Sequence, residues 1–345
     1  MREMAKQQHS AVPVVERIEP SCVLPGGDLR VVGQNLKPPG SQRPRVEFGG
    51  EEALQLYTSG RELIVRIPEA AAGNSLRVTT EESSEPVELC VATLLSAGLH
   101  PITNPAVDAG GGIFTTFSGA RGEAVPIAIF RLDSTGEVMP FVAEMMNASG
   151  LAFGATGDLY VSSRHNGEVY RVTPAGAMRG YAKGLGIATG LAFDKENNLY
   201  VGDRSGTIFK IAPDRQIYVF ATLEPSISAY HLAFDGDGQL YVTGPTVSSY
   251  NNIWRIAPDG AVSIFFRGLG RPQGMAFETD GNLLVAASHQ GRRGVFRITP
   301  QGEISLLIAG RGIVGLAFLP GGGLVLTTTD SVYKLDCGLQ GRPLP

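Results

Sequence analysis

From about residue 100 onward, apolar residues recur in short runs that keep a single register. Gly150-Leu151-Ala152-Phe153, Gly190-Leu191-Ala192-Phe193, His231-Leu232-Ala233-Phe234, Gly274-Met275-Ala276-Phe277 and Gly315-Leu316-Ala317-Phe318 follow one another at spacings of 40 to 43 residues. A turn and a second run come after each, at Leu159-Tyr160-Val161, Leu199-Tyr200-Val201, Leu240-Tyr241-Val242, Leu283-Leu284-Val285 and Leu324-Val325-Leu326. Third runs such as Ile208-Phe209-Lys210-Ile211 and Ile253-Trp254-Arg255-Ile256 alternate charged with aliphatic residues, as a strand with one packed and one solvated face does. A Pro or Gly turn and a fourth strand, for example Ile217-Tyr218-Val219-Phe220, complete the unit. Four antiparallel strands in a repeat of roughly 40 residues are the signature of a propeller blade.

A sixth, weaker copy starts at Asn104-Pro105-Ala106-Val107 and runs through Ile113-Phe114-Thr115 to Ile129-Phe130-Arg131-Leu132. The pattern therefore predicts six blades over residues 93–338. The last copy ends after its third strand, Val332-Tyr333-Lys334-Leu335, so Leu89 to Leu95 is expected to supply the missing outer strand and close the ring. An open ring would leave an unpaired strand edge.

Residues 13–92 follow another pattern: Gly26-Gly27, Leu29-Arg30-Val31-Val32, Gly33-Gln34-Asn35-Leu36, Val46-Glu47-Phe48-Gly49-Gly50, Leu63-Ile64-Val65-Arg66-Ile67-Pro68 and Leu76-Arg77-Val78. Short alternating strands between Gly and Pro turns predict a β-sandwich. In the order of these motifs the segment resembles the IPT/TIG immunoglobulin-like domains, which implies a spacer or interaction module. The expected fold is all-β: a tail at 1–12, the immunoglobulin-like domain at 13–92, a TolB-like six-bladed propeller at 93–338 and a tail at 339–345.

Composition narrows the partners. With 29 basic against 33 acidic residues and a net charge of −4, the chain lacks the positive field that a phosphate backbone requires, so nucleic acid is not expected. Met1 to Ser10 is polar, without the apolar core of a secretory signal, and no stretch approaches the roughly eighteen apolar residues of a membrane span. The chain as written is expected to be cytoplasmic, or extracellular or periplasmic if a leader has been removed. Cys22, Cys90 and Cys337 are too few for a disulfide framework and lack metal-ligand spacing. They read as buried thiols, with a Cys22 to Cys90 disulfide as the alternative.

The propeller motif resembles the NHL repeats and the gluconolactonase (senescence marker protein) family. That resemblance implies a divalent metal in the channel, held by Glu, Asn and Asp placed just before the inner-strand Gly. The corresponding positions here are Thr103, Ser149, Thr189, Tyr230, Gln273 and Val314. None is a carboxylate, and a hard cation needs converging anionic oxygens to offset its dehydration. No metal or cofactor is expected, and calcium or magnesium enters only with an atypical hydrolase. The His, Glu and metal trio of virginiamycin lyase-like propellers has no match beyond an isolated histidine.

Two residues replace the motif glycine, Asn104 in the first copy and His231 in the fourth, and opposite blades would aim both into one channel. His231 is the candidate acid/base group because imidazole titrates near neutrality, although a histidine in a packed strand more often has a structural role. Loops after the second strands add Arg164, Asp203 with Arg204, and Ser288 with His289. Arg164 and Arg204 would suit a carboxylate or phosphate clamp, unless these are solvated loop charges. With Tyr230 and Gln273 they form the expected binding set, and insertions carrying Arg121, Glu123 and Tyr250 would wall the same mouth. The leading expectation is a propeller that binds a small-molecule, peptide or protein ligand at its channel mouth. The alternatives are a lactonase or ester hydrolase using His231, and a cell-surface interaction module.

Overall fold

The computed structural model describes residues 12–342 apart from 39, 41, 71, 72, 118, 120 and 121. Among the described residues there is no helix, so none is long and apolar enough to cross a membrane. Strands fall into two compact units: one runs to Ala92 and takes in Leu306–Arg311, and the other holds Thr93–Ser305 with the residues from Gly312 onward.

In the smaller unit one sheet has the strand order Val14–Glu19, Asp28–Gln34, Glu62–Arg66, Leu54–Thr58, and the other the order Glu51–Glu52, Arg45–Phe48, Ser75–Thr79, Val87–Glu88. Strict alternation sorts their side chains. Leu29, Val31, Leu63 and Val65 of the first sheet share one core with Val46, Phe48, Leu76 and Val78 of the second, all fully buried. Each such side chain contributes about 1.5–3 kcal/mol of burial before the entropy of ordering is set against it. Strands Cys22–Val23 and Cys90–Val91 run parallel with Cys22 opposite Cys90, the former buried and the latter half-buried.

The larger unit repeats one antiparallel sheet. In the third repeat Ala188–Phe193, Leu199–Asp203, Thr207–Ile211 and Ile217–Thr222 pair in sequence order, and the first, second and fourth repeats do the same. Burial falls outward: every residue of the first two of these strands is buried, whereas Ile217, Tyr218 and Val219 of the last are exposed. Inner strands pack on their neighbours in order, and Ile313–Phe318 returns to Ala106–Val107, so the array closes on itself as a β-propeller.

Beside Val332–Leu335 lies Thr93–Ser96, with Thr93 opposite Lys334 and Leu94 opposite Tyr333. The pairing begins later than the expected Leu89, because Leu89 packs in the core of the smaller unit.

An aromatic cluster recurs between repeats. Tyr200 meets Phe220 of its own fourth strand and Phe234 of the next inner strand edge-on, each with centroids 5.0 Å apart. Phe114 with Phe141 and Phe153, Tyr160 with Tyr181 and Phe193, and Tyr241 with Phe265 and Phe277 build the same arrangement. The Phe of one motif and the aromatic of the preceding second strand are thus two halves of one contact. The fifth and sixth repeats carry Leu284 and Val325 at the second-strand position.

Tyr200→Leu installs the aliphatic residue that Leu284 already supplies at the equivalent place. Two edge-to-face pairs at about 0.5–1.5 kcal/mol each set the expected loss near 1–3 kcal/mol in urea unfolding, with native circular dichroism retained. Tyr200→Phe, which keeps both ring contacts, is expected to retain most of that stability.

Candidate functional site

At the motif glycines the backbones of neighbouring inner strands approach very closely. A β-carbon at Gly150 would overlap the Thr189 carbonyl oxygen, and one at Gly190 would overlap that of Tyr230, so only glycine lets these backbones meet. The crowding decides what the flanking side chains can do. Thr103 Oγ1 donates to Ser149 O at 2.8 Å, and Thr189 Oγ1 donates to Gly202 O at 2.8 Å while accepting from Tyr230 N at 3.1 Å. Tyr230 is buried, lies against Gly202 and Gly244, and donates its hydroxyl to Glu224 O. Burial, then Glu224 and Asp203, push its phenol well above the ordinary range, so it stays protonated.

This ring does not fit a divalent metal. Its side chains are neutral, Val314 offers no donor, and the Thr103, Thr189 and Tyr230 hydroxyls are spent on carbonyls of the chain. Among the described residues no three His, Cys, Asp or Glu side chains are grouped so that they could hold an ion.

Asn104 does not stand across the channel as an available amide. Its Nδ2 donates to Met275 O at 3.1 Å and its Oδ1 accepts from Leu316 N at 3.1 Å. The oxygen sits where a side chain at residue 274 would begin, which accounts for Gly274. Asn104 therefore stitches the first repeat to the fifth and sixth.

His231 is different. It is 3% exposed and bonds through its side chain to that of Gln273, while Nε2 is buried with no partner. Burial pulls its pKa down to about 4, and the Gln273 contact only partly opposes this. The ring is neutral at physiological pH. A neutral imidazole carries a proton on one nitrogen only, and here Nε2 is the nitrogen left without a partner. Gln273 itself is half-buried, anchored through its carbonyl by Thr243 Oγ1 at 2.6 Å. Ser149 Oγ, just before the motif of the second repeat, is another buried polar atom without a hydrogen-bond partner among the described residues.

The outer candidates are mostly turned to their own loops. Arg204 Nη2 donates to Ile227 O at 2.8 Å, and its Nε to Ser226 O at 3.4 Å. Asp203 is not in the loop but ends the strand Leu199–Asp203; it is buried and accepts from Ile187 N at 2.7 Å and from the Ser205 hydroxyl and amide. Arg164 is half-buried, and its backbone N–H donates to Asn147 O at 3.1 Å. Ser288 and His289 are not in a loop, because the strand Leu283–His289 continues through them opposite Arg292 and Arg293. His289 is set edge-on to Phe266 and Phe296 at 6.2 and 5.9 Å, in aromatic surroundings formed by third and fourth strands.

Of the two insertions, Arg121 lies outside the described residues. Asn147 ties Gly119 and Gly122 down on that side. On the other, Asn251 Oδ1 accepts from Thr246 N and Oγ1, which turns Val247 and Tyr250 out to 89% and 76% exposure. Ile227, which the sequence did not single out, joins them as an exposed apolar residue because its N–H is fixed to Pro245 O at 2.8 Å.

The His231 shift has a stability consequence. Its folded pKa lies below the unfolded value of 6.5, so the stabilisation is complete above pH 6.5 and is lost as pH falls toward 4, where the unfolded chain has bound a proton the native state refuses. About 3 kcal/mol is expected across that window. Urea unfolding of the protein and of His231→Asn at pH 7 and pH 4.5 measures it: the parent should lose more, and equal losses would rule it out.

No protein-family model matches the chain, and no curated protein matches it by sequence. Solved structures do match in three dimensions. A calcium-binding protein, regucalcin, from Agrobacterium tumefaciens shares 17% identity over 74% of this chain and 97% of its own, with a TM-score of 0.60. A gluconolactonase from Xanthomonas campestris shares 18% over 73% and 89%, at 0.56. An auxiliary nutrient binding protein from Bacteroides ovatus shares 15% over 94% and 98%, at 0.54. At these identities the likeness shows the fold alone, a β-propeller.

Proposed function

We propose that the chain is a metal-free binding protein: a six-bladed propeller over residues 93–338 behind a TIG-like immunoglobulin domain at 13–92, taking an uncharged polar ligand at the channel beside His231 and Gln273. The observation that carries this reading is the buried, partnerless Nε2 of a histidine held neutral. Leaving a buried polar atom unpaired costs about 1–3 kcal/mol, and a ligand hydroxyl or amide N–H would recover that cost. The burial of the ring, 3% exposed, favours binding over proton transfer to a substrate. Of the Arg164 and Arg204 pair, Arg204 gives its guanidinium to the Ser226 and Ile227 carbonyls, which argues against a paired clamp for an anion. The similarity to a nutrient binding protein along 94% of the chain favours the same class, because that likeness takes in both units.

The test is a thermal-shift and calorimetric screen of neutral polyols, sugars and lactones, together with elemental analysis and additions of calcium, magnesium, manganese and zinc. A ligand of the proposed kind at 100-fold over its Kd raises stability by about 2.7 kcal/mol, and His231→Phe should erase the effect. No metal is expected to copurify or shift the transition. A stoichiometric metal, or lactone turnover that disappears in His231→Ala, would overturn the reading in favour of the hydrolase.

A further inference from the structure

The far ends of the inner strands enclose a second, chemically different space. The ring before the motif lies at the strand starts, whereas Phe153, Phe193, Phe234, Phe277 and Phe318 stand at the strand ends and line a cavity of about 200 Å³ together with the Leu, Met and Ala residues of the same motifs. Its wall contains two polar side chains, Asn104 and Arg342. The Asn104 amide is already bonded to Met275 and Leu316, which leaves the guanidinium as the sole group there able to meet a charged ligand.

Arg342 is placed by a strap. Leu339 O accepts from Gly323 N at 2.9 Å, Gln340 O from Thr279 N at 3.1 Å, and Arg342 N donates to Phe277 O at 3.0 Å, so the segment crosses from the sixth repeat to the fifth. Gly341 is tight against Phe318, where a β-carbon would overlap the ring, and the Arg342 guanidinium lies on Gly236 of the fourth repeat. No carboxylate is within ion-pair distance of it among the described residues. A half-buried cation at an apolar cavity, already oriented and without a carboxylate partner among the described residues, is the arrangement that a carboxylate with a hydrocarbon body completes: the acid takes two guanidinium N–H groups and the chain replaces water along the phenylalanines.

We propose that this end of the channel binds a small amphiphilic carboxylate, of the size of a medium-chain fatty acid, with Arg342 as its counter-ion. The site is independent of His231 and differs from it in ligand class.

Calorimetric titration with octanoate below its micellar concentration, with octanol as the uncharged partner, tests the proposal. Octanoate is expected to bind one per chain. Arg342→Met should weaken octanoate at least tenfold while leaving octanol unchanged, and His231→Phe should leave both as they were. Ala233→Phe, which fills the cavity, should abolish both. Absence of saturable octanoate binding, equal affinity in Arg342→Met, or loss of binding in His231→Phe would each overturn the assignment. Arg342 lies in the terminal strap outside the repeats, so its variant tests the idea even if Ala233→Phe fails to fold.

Discussion

Neighbouring inner strands approach so closely around the channel that at Gly150, Gly190 and Gly315 a single added carbon would overlap the backbone of the next repeat. Much of the local chemistry follows from that constraint. Of the residues before the motif, Thr103, Thr189 and Tyr230 spend their hydroxyls on carbonyls of the chain, and the ring offers no carboxylate to an ion. The two departures from glycine are informative because each must fit in so little space. Asn104 fits by replacing the backbone partners of the adjoining strands, and His231 fits by giving up its charge.

Outside this ring, the aromatic clusters turn a sequence motif into an interface. Each second-strand aromatic of the first four repeats touches both its own fourth strand and the next inner strand, so stability is shared between neighbours instead of residing within one sheet. The fifth and sixth repeats, with Leu284 and Val325, rely on aliphatic packing and lack the edge-to-face term.

The repeat was legible in the sequence because the glycine, the phenylalanine and the Leu-Tyr-Val run recur at a fixed distance, and each answers to a steric or packing demand that every repeat shares. The site was legible only in part. His231 stood out as a break in the motif, but its burial and its pairing with Gln273 depend on a neighbouring repeat. Arg204 and Asp203 looked like ligand groups by residue type, yet they bond to the carbonyls of Ser226 and Ile227 and to the amide of Ile187, and backbone partners leave no trace in a sequence. Arg342 was invisible for a related reason: the strap has no periodic pattern, and its contacts with Phe277 and Gly236 are distant along the chain. The strand through Ser288 and His289 was misread because it outlasts its counterparts, which end before the equivalent position.

The pairing of Thr93–Ser96 with Val332–Leu335 joins the first and last strands of the larger unit in one sheet. During synthesis the early strand has to wait while five repeats are made and stacked, and until then the final sheet lacks its outer member. Contacts of such sequence separation are slow to form because loop-closure entropy is paid before they give anything back. Closure is therefore expected late in assembling the ring, and until it occurs one strand edge is left bare for pairing with a neighbouring chain.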